Sequence, residues 1–316
     1  MSKLVIIDGN AILHRAFHAL PPLTSNGEVV NALYGFLSML LKIRDDLQPT
    51  HLVVCFDRPE PTFRKLMYVG YQAKRPKMDE SLASQIGLTK KAVSKMKIPL
   101  YELAGFEADD LIGSLAFQAK NQKPEDKIDE VIIVTGDRDI LQLVDKTVKV
   151  YMPIQGLTLA KLYGEQEVID KFGIRASQIV DYKALAGDAS DNYPGVKGIG
   201  PKTASTLLKK YQTIEAIYKA IEKKELRDVS EKIVKALSEE VNEANMAKKL
   251  AKIKIDSPVT LKIDAARLPD FSSRETKGVF EDYNFRSLLK RIDKADSKKG
   301  AVEKKVTNLN QQLQLV

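Results

Sequence analysis

Few residues in this sequence can form covalent cross-links or bind soft metal ions. Its 316 residues include one cysteine, Cys55, three histidines and no tryptophan. A single cysteine excludes an internal disulfide framework and a cysteine-rich zinc site. His14 and His18 are four residues apart, as in some zinc sites, but the sequence offers few further ligands of this kind. Zinc is therefore disfavoured at this pair.

Long apolar runs are missing as well. No stretch of about 18 apolar residues occurs, which is the length that a membrane-spanning helix needs. The apolar run Leu4–Ile7 is short and is followed by Asp8, so it indicates a strand and not a signal peptide. We expect a cytoplasmic, monomeric protein with no membrane partner.

Basic residues are in excess and are concentrated in two blocks. The chain has 50 Lys and Arg against 42 Asp and Glu, which gives a formal net charge of +8. Residues 62–97 hold nine basic residues against two acids, and residues 197–224 hold seven against two. Such blocks indicate a polyanionic partner, most often nucleic acid. Two solvated helical faces are the alternative.

The first half of the chain predicts an α/β fold. Three apolar segments that each end in an acid predict buried parallel strands, separated by helical stretches; they are residues 4–8, 52–57 and 131–137. Apolar residues between Val30 and Leu41 recur at helical spacing, and Glu107–Lys120 predicts a helix with acids in its first turn. Residues 58–81 contain three prolines and predict a long basic loop or a weakly helical excursion.

The second half predicts helices. Helical patterns follow one another from about Gly173 to Ala251, with a short strand candidate at Val259–Ile263 and a helix near Phe285–Ile292. From Lys294 the chain is rich in Lys, Ser, Gly and Glu, which is typical of a flexible tail. We therefore divide the chain into an α/β domain at 1–173, a helical domain at 174–293 and a tail at 294–316.

Nine carboxylates occupy positions that one fold could bring together. Three follow the predicted strands, where ligands of open α/β sheets bind, and the others begin helices or lie in short acidic clusters. They are Asp8, Asp57, Glu107, Asp109, Asp110, Asp137, Asp139, Asp188 and Asp191. So many carboxylates in one pocket are tolerated only with cations among them, and hard oxygen ligands suit Mg²⁺ or Mn²⁺. Helix-end charges and caps are the structural alternative for each acid taken singly.

A glycine-lysine segment allows two interpretations. Residues 195–204 read Gly-Val-Lys-Gly-Ile-Gly-Pro-Lys-Thr-Ala. A phosphate-binding P-loop does not fit, because Pro201 separates Gly200 from Lys202 and no strand precedes the segment. A helix-hairpin-helix turn does fit, since Pro201 suits the first position of a helix whose N-terminus attracts phosphate. A plain helix-helix turn remains the alternative.

Together these motifs resemble the 5′-nuclease (flap endonuclease) superfamily, and most closely the N-terminal 5′–3′ exonuclease domain of bacterial DNA polymerase I. They occur in the family's order between about residues 3 and 292. The matching segments are Ile7–Gly9, Arg15–Ala16, Cys55–Asp57, Thr62–Arg64, Phe106–Asp110, Thr135–Asp139, Gly187–Asn192 and Gly195–Thr203.

The resemblance implies a fold and a metal requirement. The fold would be a PIN-like α/β core with a mostly parallel sheet, a helical arch at about residues 58–97 and a helix-three-turn-helix element in the helical part. Two ions, Mg²⁺ or Mn²⁺, would act, with a monovalent cation (K⁺) at the helix-hairpin-helix turn. The first ion would use Asp8, Asp57, Glu107, Asp109 and Asp110, and the second Asp137, Asp139, Asp188 and Asp191.

The resemblance also implies an activity and a setting. Family members cut DNA near junctions of single and double strands by a two-metal mechanism and release flaps, nucleotides or RNA primers during replication and repair, at the nucleoid. No polymerase part accompanies the motifs, which leaves a stand-alone nuclease or a piece of a longer protein. A ribonuclease with a related acidic site is a rival that the helix-hairpin-helix segment disfavours.

One position departs from the family pattern. The family's arch carries Tyr-Lys-x-x-Arg, and this chain has Tyr71 and Arg75 but Gln72 where the lysine stands. Glutamine has no charge to offset the phosphoryl oxygens, so slow turnover is expected. Lys74 could substitute only if the arch helix shifted. The alternative function is therefore a branched-DNA-binding relative that cleaves weakly or not at all.

The remaining site residues follow from the same resemblance. Tyr71, Gln72 and Arg75 are the expected catalytic group. The expected DNA contacts are Arg15, Arg64, Lys74, Gly195, Lys197, Gly198, Gly200, Lys202 and Thr203.

The last five residues resemble a second, shorter motif. Gln312, Leu313 and Leu315 match the bacterial sliding-clamp-binding pattern Gln-Leu-Ser/Asp-Leu-Phe, and Val316 replaces its aromatic residue. A sliding clamp is the partner that this implies. An inert tail is the alternative, because five residues form a weak signal.

Overall fold

The computed structural model describes residues 1–156, 159–227 and 229–294. A six-stranded sheet lies at its centre. The strands are β1 (Lys3–Asp8), β4 (His51–Cys55), β5 (Leu100–Tyr101), β6 (Glu130–Val134), β7 (Val148–Gln155) and β8 (Leu159–Tyr163). Their order is β5-β4-β1-β6-β7-β8, and all neighbours are parallel except β7 and β8. A separate hairpin pairs β2 (Thr24–Ser25) with β3 (Glu28–Val29).

Both faces of the sheet are covered by helices, which explains why its strands are continuously apolar. Along β1, Val5 and Ile7 pack into one core with α1 (Gly9–Ala19) and α2 (Asn31–Leu47), whereas Leu4 and Ile6 pack into the other core with α5 (Ala108–Lys120). The helices of this half are α1 (Gly9–Ala19), α2 (Asn31–Leu47), α3 (Phe63–Met67), α4 (Glu80–Lys95) and α5 (Ala108–Lys120). The predicted mostly parallel α/β sheet is confirmed, and it has three more strands than the sequence indicated.

The second half is helical, as predicted. Its helices are α6 (Glu165–Phe172), α7 (Ile179–Ala186), α8 (Pro201–Tyr211), α9 (Ile214–Glu222), α10 (Glu231–Glu239), α11 (Val241–Ala251) and α12 (Arg274–Asp282). Residues 286–294 are also helical. Short 3-10 turns occur at Pro124–Asp126, Asp139–Leu143, Ala176–Gln178 and Asp264–Ala266. The exact division of the chain at residues 173 and 293 stays a prediction.

The strand predicted at Val259–Ile263 is wrong. This segment has no regular structure, because a side chain satisfies its backbone in place of a neighbouring strand. The Gln118 amide donates to Val259 O at 2.7 Å and accepts from Leu261 N at 2.8 Å. Leu261 and Ile263 still pack into the α5 core, which accounts for the apolar pattern.

The basic excursion combines short helices with turns. After α3, residues 69–75 form consecutive turns, and Gln72 adopts a left-handed conformation with φ +54°. The segment then runs irregularly to Asp79, whose carboxylate caps α4. No helix in the described part of the chain combines the length and the apolar character of a membrane span.

Candidate active site

Three acids leave neighbouring strands at the carboxyl edge of the sheet. Asp8 ends β1, Asp57 follows β4 and Asp137 follows β6. Asp8 caps α1 by accepting from Ala11 N at 2.9 Å, and its other oxygen accepts from Thr135 Oγ1 at 2.6 Å. Burial, with the nearby charges of Asp57 and Asp137, raises the pKa of Asp8 to about 7. The carboxylates are therefore close enough to disfavour one another's ionisation.

The start of α5 adds further carboxylates to this edge. Glu107 is the N-cap of α5, and Asp57 accepts from Ala108 N at 2.7 Å, which fixes the helix start against β4. Burial raises the pKa of Glu107 to about 6. Burial, with the charges of Asp137 and Asp8, raises the pKa of Asp109 well above its usual range. Five acids thus form a first cluster: Asp8, Asp57, Glu107, Asp109 and Asp137.

A second cluster brings together Asp139, Asp188 and Asp191. One carboxylate oxygen from each lies within 4.8 Å of the others. Lys183, on α7, pairs with both Asp139 and Asp188. Burial alone would lower the pKa of Lys183, but these two carboxylates raise it. Burial raises the pKa of Asp139 to about 7 in spite of Lys183.

The loop that carries Asp188 and Asp191 is closed tightly on itself. Asp188 and Tyr193 exchange backbone hydrogen bonds of 3.0 and 3.1 Å. Gly187 has a φ of +72°, and a Cβ on Gly195 would lie 2.2 Å from Gly187 N. Only glycine allows the two backbone segments to approach so closely.

Tyr71 joins the two clusters. Its hydroxyl lies 3.1 Å from Glu107 Oε2 in the first cluster and 3.1 Å from Asp191 Oδ2 in the second. Its ring stacks on that of Tyr193, with centroids 6.3 Å apart. Arg75 donates to Asp191 at 2.6 Å, and the terminal amide of Gln72 contacts Asp191, Arg75 and Tyr71. The three residues expected to form the catalytic group therefore lie together on Asp191.

The residues of this site fit divalent cations. All candidate ligands are carboxylates, the ligand type that Mg²⁺ and Mn²⁺ prefer. The Tyr193 hydroxyl is buried without a hydrogen-bond partner among the described residues, although the charges of Asp139, Asp188 and Asp191 act on it. A buried polar atom left unpaired next to three carboxylates indicates a place for an additional polar group.

Arg64 and Asp110 are buried and form an ion pair with each other, which is not the role that the sequence predicted for either residue. Arg64 has 3% of its side chain exposed and forms a two-point ion pair with the fully buried Asp110, at 2.7 and 2.8 Å. Its other N–H groups reach Glu107 and the carbonyls of Leu250 and Lys252. The expected contact of Arg64 with DNA phosphate is wrong, because its donors are used inside the protein. Asp110 likewise holds Arg64 and the N-cap of α5.

The other expected DNA contacts differ in exposure. Lys74 and Arg75 are exposed on the turn segment, and Arg15 is partly exposed on α1 with Nε donating to Gly156 O at 2.9 Å. His14 and His18 on the same helix place their Nε2 atoms 3.2 Å apart. Among the described residues, Asp139, Asp188 and Asp191 are the one group of three or more acid, histidine or cysteine side chains whose ligand atoms all lie within 4.8 Å of one another; the acids of the first cluster do not reach this spacing.

The glycine-lysine segment forms an exposed turn between α7 and α8. Lys197, Gly198, Gly200 and Lys202 are exposed, whereas Gly195 and Thr203 are half-buried. Val196 and Ile199 anchor the turn in the helical core. Pro201 begins α8, and Gly198 has a φ of +82°. The Lys197 N–H donates to Glu240 Oε2 at 2.6 Å, whereas the N-terminus of α8 is exposed to solvent, as anion binding requires.

Some functional residues escaped the sequence reasoning. Thr135 and Thr62 donate to Asp8 and Glu107 at 2.6 and 3.1 Å, and Asn10 accepts from Asp57 N at 3.0 Å. Lys183 and Tyr193 belong to the second cluster. The one available signal was adjacency, since each of these residues lies within five positions of a predicted acid or of the Thr62–Arg64 motif. The clamp-like residues Gln312, Leu313, Leu315 and Val316 lie outside the described residues.

Comparison with families and relatives agrees along most of the chain. The 5′–3′ exonuclease N-terminal resolvase-like domain matches residues 3–173, and the 5′–3′ exonuclease C-terminal SAM fold matches residues 174–274. A 5′–3′ exonuclease of Aquifex aeolicus is 38% identical over 93% of this chain and 96% of its own length. DNA polymerase I of Bacillus subtilis is 35% identical over 98% of this chain. The chain spans about a third of the length of such polymerases.

Solved structures share the fold. Bacteriophage T5 5′-exonuclease with divalent metal ions (zinc) bound is 20% identical, covers 89% of this chain and 99% of its own, and has a TM-score of 0.64. Bacteriophage T5 flap endonuclease in a complex with DNA and metal ions is 18% identical with the same coverage and a TM-score of 0.63. The fold, the acidic edge and the matches to both domains show that this chain belongs to the 5′–3′ exonuclease family.

Proposed function

We propose that this chain hydrolyses DNA phosphodiester bonds as a structure-specific 5′–3′ exonuclease and flap endonuclease. The observation that carries the proposal is the position of the Tyr71 hydroxyl, 3.1 Å from Glu107 and 3.1 Å from Asp191. This contact makes the two acidic clusters one continuous site. A continuous site is what two ions require if they are to act on one phosphodiester.

Two Mg²⁺ or Mn²⁺ ions fit the clusters. Asp8, Asp57, Glu107 and Asp109 would hold the first ion, and Asp139, Asp188 and Asp191 the second. Asp137, which the family resemblance assigns to the second ion, is proposed to serve the first, because its charge acts on Asp8 and Asp109. Asp137 lies between the two sets, because its Oδ1 accepts from Asp139 N at 2.8 Å. When bound, such ions activate water and stabilise the charge on the leaving oxygen. Asp110 supports this set through Arg64 rather than from within the cluster.

The arch residues supply the protein's own positive charge at the site. The Arg75 side chain is 52% exposed and ends on Asp191, so it can turn to an entering phosphate without crossing the core. Gln72 is beside it and donates no charge. Tyr71 holds Glu107 and Asp191 at a fixed separation. This arrangement orients the phosphate with one cation where the family pattern has two, which supports a slow rather than an absent reaction.

The glycine-lysine turn is proposed to hold duplex DNA. Lys197, Lys202 and the exposed N-terminus of α8 lie on one turn, where they can contact phosphate. Contacts of this kind fix a protein on the phosphate backbone without reading sequence. A K⁺ ion held at the turn between Gly195 and Gly200 would add positive charge beside a DNA phosphate. With DNA as the substrate, 5′ flaps, nicks and RNA primers in replication and repair are the proposed targets.

Cleavage of a 5′-flap DNA labelled at the flap tests the proposal. In Mg²⁺, we expect the parent chain to release products near the junction. Asp109→Ala and Asp137→Ala should lower single-turnover rates at least about 10³-fold while DNA affinity changes little, because the lysines and not the acids hold the DNA. Asp170→Ala, an exposed acid on α6, is the control and should cleave like the parent. Binding without cleavage by the parent would contradict the proposal.

The C-terminal five residues are proposed to tether the enzyme to a sliding clamp. A tether would raise the local enzyme concentration at nicked DNA. The replacement of the aromatic residue by Val316 leaves less apolar area to bury, so a dissociation constant in about the micromolar range is expected. Calorimetric titration of purified clamp with the full chain and with a chain ending at Asn308 decides the matter. Equal affinity for both chains would exclude the tether.

A further inference from the structure

Lys183 is placed where a second divalent ion would have to act. Its side chain is 13% exposed, and its ammonium pairs with Asp139 and Asp188 at once. These are two of the three carboxylates whose oxygens lie within 4.8 Å of one another. An ion held by this trio must therefore share or displace the contacts that Lys183 makes.

The trio of Asp139, Asp188 and Asp191 also pairs with a second cation, which is more exposed than Lys183. Arg75 pairs with the third carboxylate, Asp191, but half of its side chain is in solvent. It can leave Asp191 for water or for a phosphate. Lys183 lies on α7, which packs against the turn that begins at Asp139. The ammonium group of Lys183 therefore has little access to solvent. Arg75 can therefore leave the three carboxylates, whereas Lys183 stays paired with two of them.

We propose that Lys183 is a built-in counter-ion of the second metal site, which stabilises the metal-free trio and weakens its affinity for a divalent cation. The site then fills when a substrate phosphate contributes further negative charge. This inference rests on the proposed function only through the position of the metal site. Loss of the ammonium makes the site more negative by one formal charge at contact distance, which is expected to tighten cation binding at least about tenfold.

The chain supplies a matched control. Lys248 on α11 also bridges two carboxylates, Asp181 at 2.7 Å and Glu215 at 2.6 Å. Neither carboxylate belongs to the acidic clusters. Lys248→Met therefore breaks a lysine bridge of the same kind without changing the charge of the second cluster. A general loss of rigidity would appear in both Lys183→Met and Lys248→Met, whereas an effect on the second cluster alone would appear only in Lys183→Met.

Titration of the full chain with Mn²⁺, with free Mn²⁺ measured by electron paramagnetic resonance, tests the proposal. Lys183→Met and Lys183→Gln should bind the weaker of two Mn²⁺ ions at least about tenfold more tightly than the parent. Their metal-free melting temperatures should fall and recover in Mn²⁺, because the metal replaces the lost cation. Lys183→Arg should keep the parental affinity, and Lys248→Met should lose stability with no change in affinity and no selective recovery.

Two results would overturn the proposal. Unchanged or weaker Mn²⁺ binding in both neutral variants would show that Lys183 only holds the carboxylates in place. Failure of the parent and of both neutral variants to bind a second Mn²⁺ would show that the three carboxylates do not form a metal site. Tighter binding by the neutral variants, together with a parent that does not cut a 5′-flap DNA, would instead contradict the proposed function and leave the role of Lys183 standing.

Discussion

At the scale of residues, single hydroxyl groups fix the carboxylates of the active site. Thr135 reaches Asp8, Thr62 reaches Glu107, and Tyr71 reaches both Glu107 and Asp191. Hydrogen bonds of this kind orient ligands that would otherwise turn away from one another. The catalytic acids are therefore held in place before any metal binds.

Replacement of Gln72 by lysine is expected to raise the cleavage rate. Its amide contacts Asp191 and Arg75, so a lysine there would bring a second cation to the phosphate. One well-placed charged donor changes rates by about 10²-fold in other enzymes. Gln72→Met is the control. The backbone at position 72 is left-handed, with φ +54°, and methionine has the same conformational cost there as lysine but adds no charge. Single-turnover rates that are equal for Gln72→Lys and the parent would show that Lys74 or Arg75 already suffices.

Arg64→Met is expected to destabilise the fold. It would leave Asp110 buried without its partner, and breaking a buried pair costs about 3–5 kcal/mol. Urea unfolding measures the free energy of unfolding for the variant and the parent. Arg58→Met removes an arginine whose pair with Glu60 is exposed, so no measurable change is expected. If the Arg64→Met chain is as stable as the parent but binds DNA poorly, the conclusion that Arg64 does not contact DNA phosphate is contradicted.

At the scale of elements, the active site is made where strands end and helices begin. Asp8 is both the last residue of β1 and the cap of α1, and Glu107 caps α5 while Asp57 accepts from the next residue of that helix. These positions could be predicted, because an acid after an apolar run is visible in the sequence. The burial of Arg64 could not, since a basic block looks the same whether its arginine faces water or a buried aspartate.

The exposed turn before α8 gives a prediction for DNA binding. Lys197→Ala and Lys202→Ala should each lower the slope of log affinity against log salt by about one, equally for different DNA sequences. Binding is measured in EDTA, so that cleavage does not interfere. Lys127→Ala removes the same charge next to β6, at the amino end of the sheet. Identical salt slopes for Lys202→Ala and Lys127→Ala would show that the turn does not meet phosphate.

At the scale of the whole molecule, the site depends on contacts between distant parts of the chain. Asp191 comes from the loop after α7 and receives Tyr71 and Arg75 from the arch segment. Arg64 also donates to carbonyls at the end of α11. The sequence placed each acid near the site through the fold class, but no spacing rule could reveal which side chains join across 120 positions. Lys183 and Tyr193 became visible only through those contacts.

His51 is expected to lower the stability of the whole chain in mild acid, whereas the buried carboxylates Asp8 and Asp139, whose pKa values are raised, act in the opposite direction. Burial, with the charge of Arg267, lowers the pKa of this histidine in the folded state below its usual 6.5. Below about pH 6.5 His51 binds a proton more readily in the unfolded chain than in the folded one, so the contribution of His51 to the free energy of unfolding decreases as the pH falls. One group contributes no more than about 1.4 kcal/mol per pH unit.

Urea unfolding in EDTA at pH 5.5 and 7.5 measures this effect. Because the carboxylates are the same in both chains, the free energy of unfolding of His51→Gln should rise relative to that of the parent when the pH is lowered from 7.5 to 5.5. His18→Gln changes an exposed histidine and should follow the parent. A His51→Gln chain with the parental pH dependence would assign the acid sensitivity to other groups.

The close passage of Gly187 and Gly195 has a consequence for how this chain can diverge. Alanine at either position would place a methyl group inside the opposite backbone, with separations of 2.4 and 2.2 Å. The seven-residue loop between them therefore has a fixed length and fixed ends, whatever its interior becomes. Codon randomisation under selection for folding should return glycine at both positions. Gly187 and Gly195 then identify equivalent positions in distant relatives, so that these sequences can be aligned even where their overall identity is too low to guide the alignment.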